Sequence, residues 1–297
     1  MKTKSIIITS LLSMVLFMAC EKSLLPDRTV DADGARILFF NLSPDAPEMN
    51  LYFNDIRVTT QQSTVIGKLR GIPFRSSYPG TITQTPVATT VPTPYIGAEY
   101  FIATAGATAI KAMDTAFVSG HITFFSTNFN FEKDKYYSIF AVDPKATMAP
   151  VIIEDNIVPF ETLKKVKIRV VNMTSGVAGN KIDVWSVHQP ALTKPTWAPF
   201  KIASGLDYKA STQFTDTISA ASYKYIITKA GAVPTANTPP ATSGSPYTLT
   251  FASADVILAG TVSSLPERTT FSFILFGQVG GTGVKAPVGT FFRNRLK

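Results

Sequence analysis

Ala35-Arg36-Ile37-Leu38-Phe39-Phe40-Asn41-Leu42-Ser43 and Lys167-Ile168-Arg169-Val170-Val171-Asn172-Met173-Thr174 are the two stretches on which the fold turns. Both are short apolar runs rich in β-branched or aromatic residues. Runs of this kind, bounded by polar turns, read as strands. Each is followed by a turn and a second run, 49–53 in one copy and 181–187 in the other. Alternate residues of a strand share a face. Met49, Leu51 and Phe53 therefore point one way, as do Ile182 and Val184. Further on, 97–103 matches 220–227, and each copy closes on a strong strand, 136–142 and 270–276. Four matched strands in one order imply an internal repeat, with loop insertions altering the spacing.

Composition agrees with this reading. Only 16% of the 297 residues are charged, 45% are hydrophobic, and there are 20 prolines and 18 glycines. Long amphipathic helices need more Glu, Lys, Arg and Leu. Short strands joined by Gly, Pro, Ser and Thr loops fit better. The net charge of +8 is scattered rather than striped, which argues against nucleic acid as a partner. The C-terminal Arg293-Asn294-Arg295-Leu296-Lys297 reads as a solvated tail, with weak attraction to anionic lipid as the alternative.

Lys2 and Lys4 precede an uncharged apolar stretch that ends at Ala19-Cys20. A positive n-region, an apolar h-region and a small residue at the cut describe a secretory signal. The stretch is too short for a membrane span of ~20 apolar residues. Cys20 is the only cysteine, so no disulfide can form within the chain and the fold must stand on its core. Leu16-Phe17-Met18-Ala19-Cys20 resembles the lipobox of bacterial lipoproteins, in the loose form common in Bacteroidetes. That resemblance implies cleavage before Cys20, lipidation of Cys20 and anchoring to the outer membrane. Stable anchoring needs two or more acyl chains. The alternative is an ordinary cleaved signal.

The run 36–47, with its Ser43-Pro44-Asp45-Ala46 turn, and the following Leu51-Tyr52-Phe53 resemble the opening of the DUF4397 domain. Residues 97–100 and 135–142 are similar to that family's later strands. The second copy keeps the strands but replaces the turn with Thr174-Ser175-Gly176-Val177-Ala178-Gly179. The resemblance implies an all-β chain: two tandem immunoglobulin-like or transthyretin-like β-sandwiches, with no established activity. The expected organisation is a signal peptide at 1–19, a lipidated N-terminus and linker at 20–34, a first sandwich at 35–158, a linker at 159–165 and a second sandwich at 166–297. Residues 80–94 and 231–246, rich in Pro, Thr and Ser, are expected to be long exposed loops.

Catalytic groups are few. His121 and His188 are the only histidines, and no nucleophile pattern accompanies either. His188 is expected in a loop and His121 on a strand, both structural. Two distant histidines do not make a zinc site. Gly281-Thr282-Gly283-Val284-Lys285-Ala286 matches a dinucleotide string, but Pro287 and Gly289 follow instead of a helix; a glycine-rich loop is the better reading. Asp31-Ala32-Asp33-Gly34 stops after two calcium ligands. Thr115 and Thr217 sit in Asp-Thr-aliphatic strings that resemble Bacteroidetes O-glycan acceptors. Phe124, Phe125, Phe129 and Phe131 are expected in a core, and Trp197, in a Pro-rich stretch, is the candidate exposed ligand contact.

The expected function is a non-enzymatic binding, adhesion or structural module without cofactor or metal. Its partners are the membrane, through the lipid, and another envelope protein or a glycan. The alternative is a glycan-binding lipoprotein of a polysaccharide-uptake system, and a hydrolase ranks last.

Overall fold

The structure, a computed structural model, describes residues 34–59, 61–62, 69–79, 97–98, 100–115, 121–157, 162–190, 197–215, 218–242, 244–262 and 265–294. They are all-β, with three one-turn 3-10 helices. The first half holds β1 (Ala35–Asn41), β2 (Met49–Phe53), β3 (Ile56–Arg57), β4 (Gln61–Gln62), β5 (Leu69–Arg70), β6 (Ser76–Tyr78), β7 (Gly97–Ala98), β8 (Phe101–Ala103), β9 (Gly106–Asp114), β10 (Thr123–Phe131), β11 (Tyr136–Val142) and β12 (Ala149–Glu154). The second holds β13 (Lys165–Ser175), β14 (Lys181–Gln189), β15 (Phe200–Asp207), β16 (Ala210–Ser211), β17 (Ile218–Ser219), β18 (Ser222–Lys229), β19 (Ala236–Thr238), β20 (Thr248–Thr250), β21 (Val256–Val262), β22 (Thr269–Gln278) and β23 (Val288–Asn294).

The repeat is plain in the topology. The first half has one sheet ordered β12-β11-β1-β6, with β8 also on β1, and a second ordered β10-β9-β2-β3. The second half has β23-β22-β13-β16, with β17 also on β13, and β15-β14-β18-β21. Every strand of one set has its counterpart in the other. Each half pairs an early strand with a late one in parallel, β1 with β11 and β13 with β22.

Counterparts also share side-chain chemistry. Asn41 Nδ2 donates to the Ile72 carbonyl (2.9 Å), and its Oδ1 accepts from the Ser43 amide (3.3 Å). Asn172 does the same with the Leu206 carbonyl (3.2 Å) and the Thr174 amide (3.1 Å). Both asparagines are fully buried, so each must satisfy its amide internally.

Three expectations need correction. Residues 220–227 pair by topology with β9, which ends at Asp114, and not with 97–103. The latter divides into β8, which stays in its own half, and β7, which pairs in parallel with β23 of the other. Each half also continues one strand past its expected last one, into β12 and β23. The 231–246 stretch is not simply a loop. It contains β19, which pairs with β20, and Leu249 of that hairpin packs on Val187 and Ile226. The 80–94 stretch lies outside the described residues.

Each half has its own core. Met49, Leu51, Phe53, Phe125 and Phe131 are buried in the first, with Phe124 and Phe129 packed against them. Ile182, Val184, Tyr225 and Phe273 are buried in the second. A third apolar layer joins the halves. It holds Leu38, Phe40, Phe140 and Val142 from the first half, and Val171, Met173, Ile274, Phe276 and Phe292 from the second. Phe40 stacks on Phe140 (4.8 Å) and meets the edge of Phe292 (5.0 Å). These residues occupy the strand faces opposite the two inner cores. The sheets of β1 and β13 are thus covered on both sides, and residues 34–297 form one compact unit.

Candidate functional site

Two places gather functional-looking side chains. The first is an aromatic column at one end of the second half. β14 carries His188 opposite Tyr223 of β18. His188 lies within that strand and is buried, whereas His121 precedes β10 and is exposed; the expected placements are reversed. The Trp197 ring stacks on His188 at 3.8 Å and 22°. Tyr223 lies 5.8 Å beyond, and Phe200 meets it edge-on. Burial pushes the Tyr223 hydroxyl up to about 12, and that hydroxyl donates to the Ser219 carbonyl (2.9 Å). The column ends at the surface in Trp197, which is 41% exposed. One indole face is held by the imidazole. The remaining exposed surface is a flat, rigid, apolar platform of the kind that stacks on rings.

The second place lies where the halves meet. Arg169 and Asp155 form an ion pair that is almost wholly buried. Asp155 Oδ2 also accepts from Ser138 Oγ (2.7 Å) and from the Tyr100 hydroxyl (2.8 Å). Arg169 Nε donates to Ser272 Oγ (2.7 Å), and Ser272 donates to Asn294 Oδ1 (2.8 Å). Asn294 Nδ2 donates to Tyr100 (2.9 Å), closing the ring of contacts. Burial, then the charge of Asp155, holds the Tyr100 hydroxyl well above the usual tyrosine range; it stays a neutral donor.

The strand registers show where this network comes from. Leu38 pairs with Ser138, and Arg169 with Ser272. The Asp155 amide donates to Tyr136, while Asn294 pairs with Thr270. Ser138 and Ser272 are therefore counterparts, as are Asp155 and Asn294, and Leu38 and Arg169. One serine contact thus occurs in both halves, Ser138 to Asp155 in the first and Ser272 to Asn294 in the second. The ion pair exists because the second half has Arg169 where the first has Leu38.

Other contacts reinforce the junction. Tyr208 donates to Asp143 Oδ1 (2.6 Å), and Lys209 pairs with the other oxygen. Burial, then Asp143, raises the Tyr208 pKa. Arg75 Nη2 donates to the Ala286 carbonyl (3.1 Å), in the Gly281–Ala286 string. That string holds a one-turn 3-10 helix and leads into β23.

Of the residues singled out in the sequence, Cys20 and Thr217 lie outside the described residues. Thr115 is half-buried just after β9. His121 Nδ1 lies 3.2 Å from Asp114 Oδ1. Thr115, His121 and Trp197 do not converge on one site. The junction network was missed entirely. Its signal was an arginine next to Val171 and Met173 on one strand face, with serines at matched positions of both closing strands. No family model matches the chain, and no curated protein does.

Proposed function

We propose that this chain is a lipid-anchored protein of a bacterial outer membrane, held through Cys20. Its two β halves serve as a rigid, non-enzymatic binding, adhesion or structural body, in the manner of the DUF4397 proteins it resembles. The observation that carries this reading is the filled junction. Two-domain enzymes commonly work in the cleft between domains. Here that place is occupied by an apolar layer and a closed polar network. A body of this kind suits holding a surface in fixed orientation at the end of a tether. Metabolic labelling with a fatty-acid analogue tests the anchor: label should enter the wild type and be lost in Cys20→Ala. Equal labelling of both would overturn it.

Trp197 favours a second reading, a glycan-binding lipoprotein. An exposed indole backed by a buried imidazole is preorganised for stacking on a sugar ring. Glycan-array binding that is lost in Trp197→Ala and kept in Trp197→Phe would support it.

A further inference from the structure

β10 is the outer strand of the β10-β9-β2-β3 sheet. It runs nine residues, TFFSTNFNF, with no charge and no proline. Among the described residues its only strand partner is β9. A long, uncharged edge is a template for another strand, and proteins usually guard such edges with Lys, Pro, bulges or shortness. Among the described residues the other edges are guarded or shorter. β12 carries Pro150 and Glu154. β15 carries Lys201 and Asp207. β3 and β16 have two residues each, and β6 has three. β21, the counterpart of β10, is also uncharged and irregular only at its start, but it is shorter, with seven residues against nine, and has Gly260 near its centre. In β10 the irregularity is confined to its start, and pairing is regular from Phe125 to Phe131.

We infer that β10 is a docking edge for a second copy of this chain. Two β10 strands pair antiparallel across a two-fold axis and join their sheets into one. Guards such as Lys act chiefly against like edges, because a symmetric pairing sets identical charges near one another. β10 has none, so its own copy is the partner it fits best. Full overlap of the regular run puts its midpoint, Asn128, on the axis. Ser126 then faces Asn130 of the second copy, on the solvent side where all three are exposed. On the inner side Thr127 faces Phe129, and Phe125 faces Phe131. No facing pair carries charge, and the half-buried Phe129 gains cover.

The test uses the chain from Glu21 onward, which keeps the whole compact unit and contains no cysteine. Sedimentation should show a concentration-dependent dimer. Asn128→Lys, at an exposed position, should weaken it at least about tenfold without altering circular dichroism. Ala259→Lys on β21 should leave it unchanged. Asn128→Cys should form an interchain disulfide under mild oxidation, because residues on the axis lie within disulfide reach. A monomer at every concentration up to ~1 mM overturns the inference. So does a dimer that tolerates Asn128→Lys, that weakens with Ala259→Lys instead, or that forms no disulfide at residue 128.

Discussion

The two halves share one strand order and one buried asparagine, yet of three matched positions in the polar network at their junction they differ at two. The first half offers Leu38, Ser138 and Asp155, and the second offers Arg169, Ser272 and Asn294. Two copies of the first half would bury two aspartates without a cation. Two copies of the second would bury two arginines without an anion. Unpaired buried charge is strongly destabilising. The difference between the halves therefore makes each the other's proper partner and rejects its own kind.

The strongest way to break this comparison is to separate the halves. Residues 35–158 expressed alone would expose Leu38, Phe40, Phe140 and Val142, each worth ~1.5–3 kcal/mol when buried. We expect that fragment to aggregate or lack a cooperative transition, and co-expression with 166–297 to restore a one-to-one complex. Size-exclusion chromatography with light scattering checks both outcomes. A well-behaved, cooperatively folding monomer of 35–158 would show that the shared layer is dispensable.

A sharper test makes the halves alike. Arg169→Leu alone, or Asp155→Asn alone, should cost about 3–5 kcal/mol by stranding a buried charge. The double variant reproduces in each half what the other already has at that position. It should recover most of the loss. A double-mutant cycle by denaturant melts reads the coupling directly, and additive losses would refute the pairing role.

Where the halves agree, substitutions should agree too. Asn41→Ala and Asn172→Ala each remove a buried side-chain donor to a carbonyl and the side-chain acceptor of a backbone amide, at a cost of about 1–3 kcal/mol. Losses of the same sign and similar size, measured in the same melts, support the equivalence.

The smallest effect concerns a device of the second half only. Asp183 on β14 is buried and accepts from Lys201 Nζ (2.7 Å), the Gly205 amide (2.7 Å) and the Gly231 amide (3.1 Å). Burial alone would raise its pKa, but these donors outweigh it and hold the carboxyl below the usual range. β2 carries no acidic residue. The stability from Asp183 is present above the unfolded carboxylate value, ~3.9, and is lost as pH falls through the lower folded value. Asp183→Asn should thus cost about 1–3 kcal/mol at neutral pH and little in strong acid. A pH-independent difference in Tm would contradict this.

The strands were legible in the sequence because their apolar runs and turns are local signals. The junction was legible in principle as well. Ile37-Leu38-Phe39-Phe40 and Phe271-Ser272-Phe273-Ile274-Leu275-Phe276 do not alternate, and a run without alternation marks a strand covered on both faces. What local pattern cannot supply is the identity of the cover. Tyr100 reaches Asp155 and Asn294 only because β7 crosses to β23, and two residues of strand leave no periodic trace. His188 escapes a local pattern for a related reason: β14 continues to Gln189, beyond its last clearly apolar residue, Val187. Trp197 is exposed, and in the sequence the prolines on both sides leave it outside any strand pattern.

The parallel pairing of β1 with β11 has a mechanical consequence. A pull on the residues that precede Ala35 enters β1 along its length. β11 flanks β1 on one side, with β6 and β8 on the other. The interstrand hydrogen bonds lie across the direction of such a pull and share the load, so they must fail together rather than peel apart one at a time. The end of the body nearest the proposed tether is therefore loaded in shear.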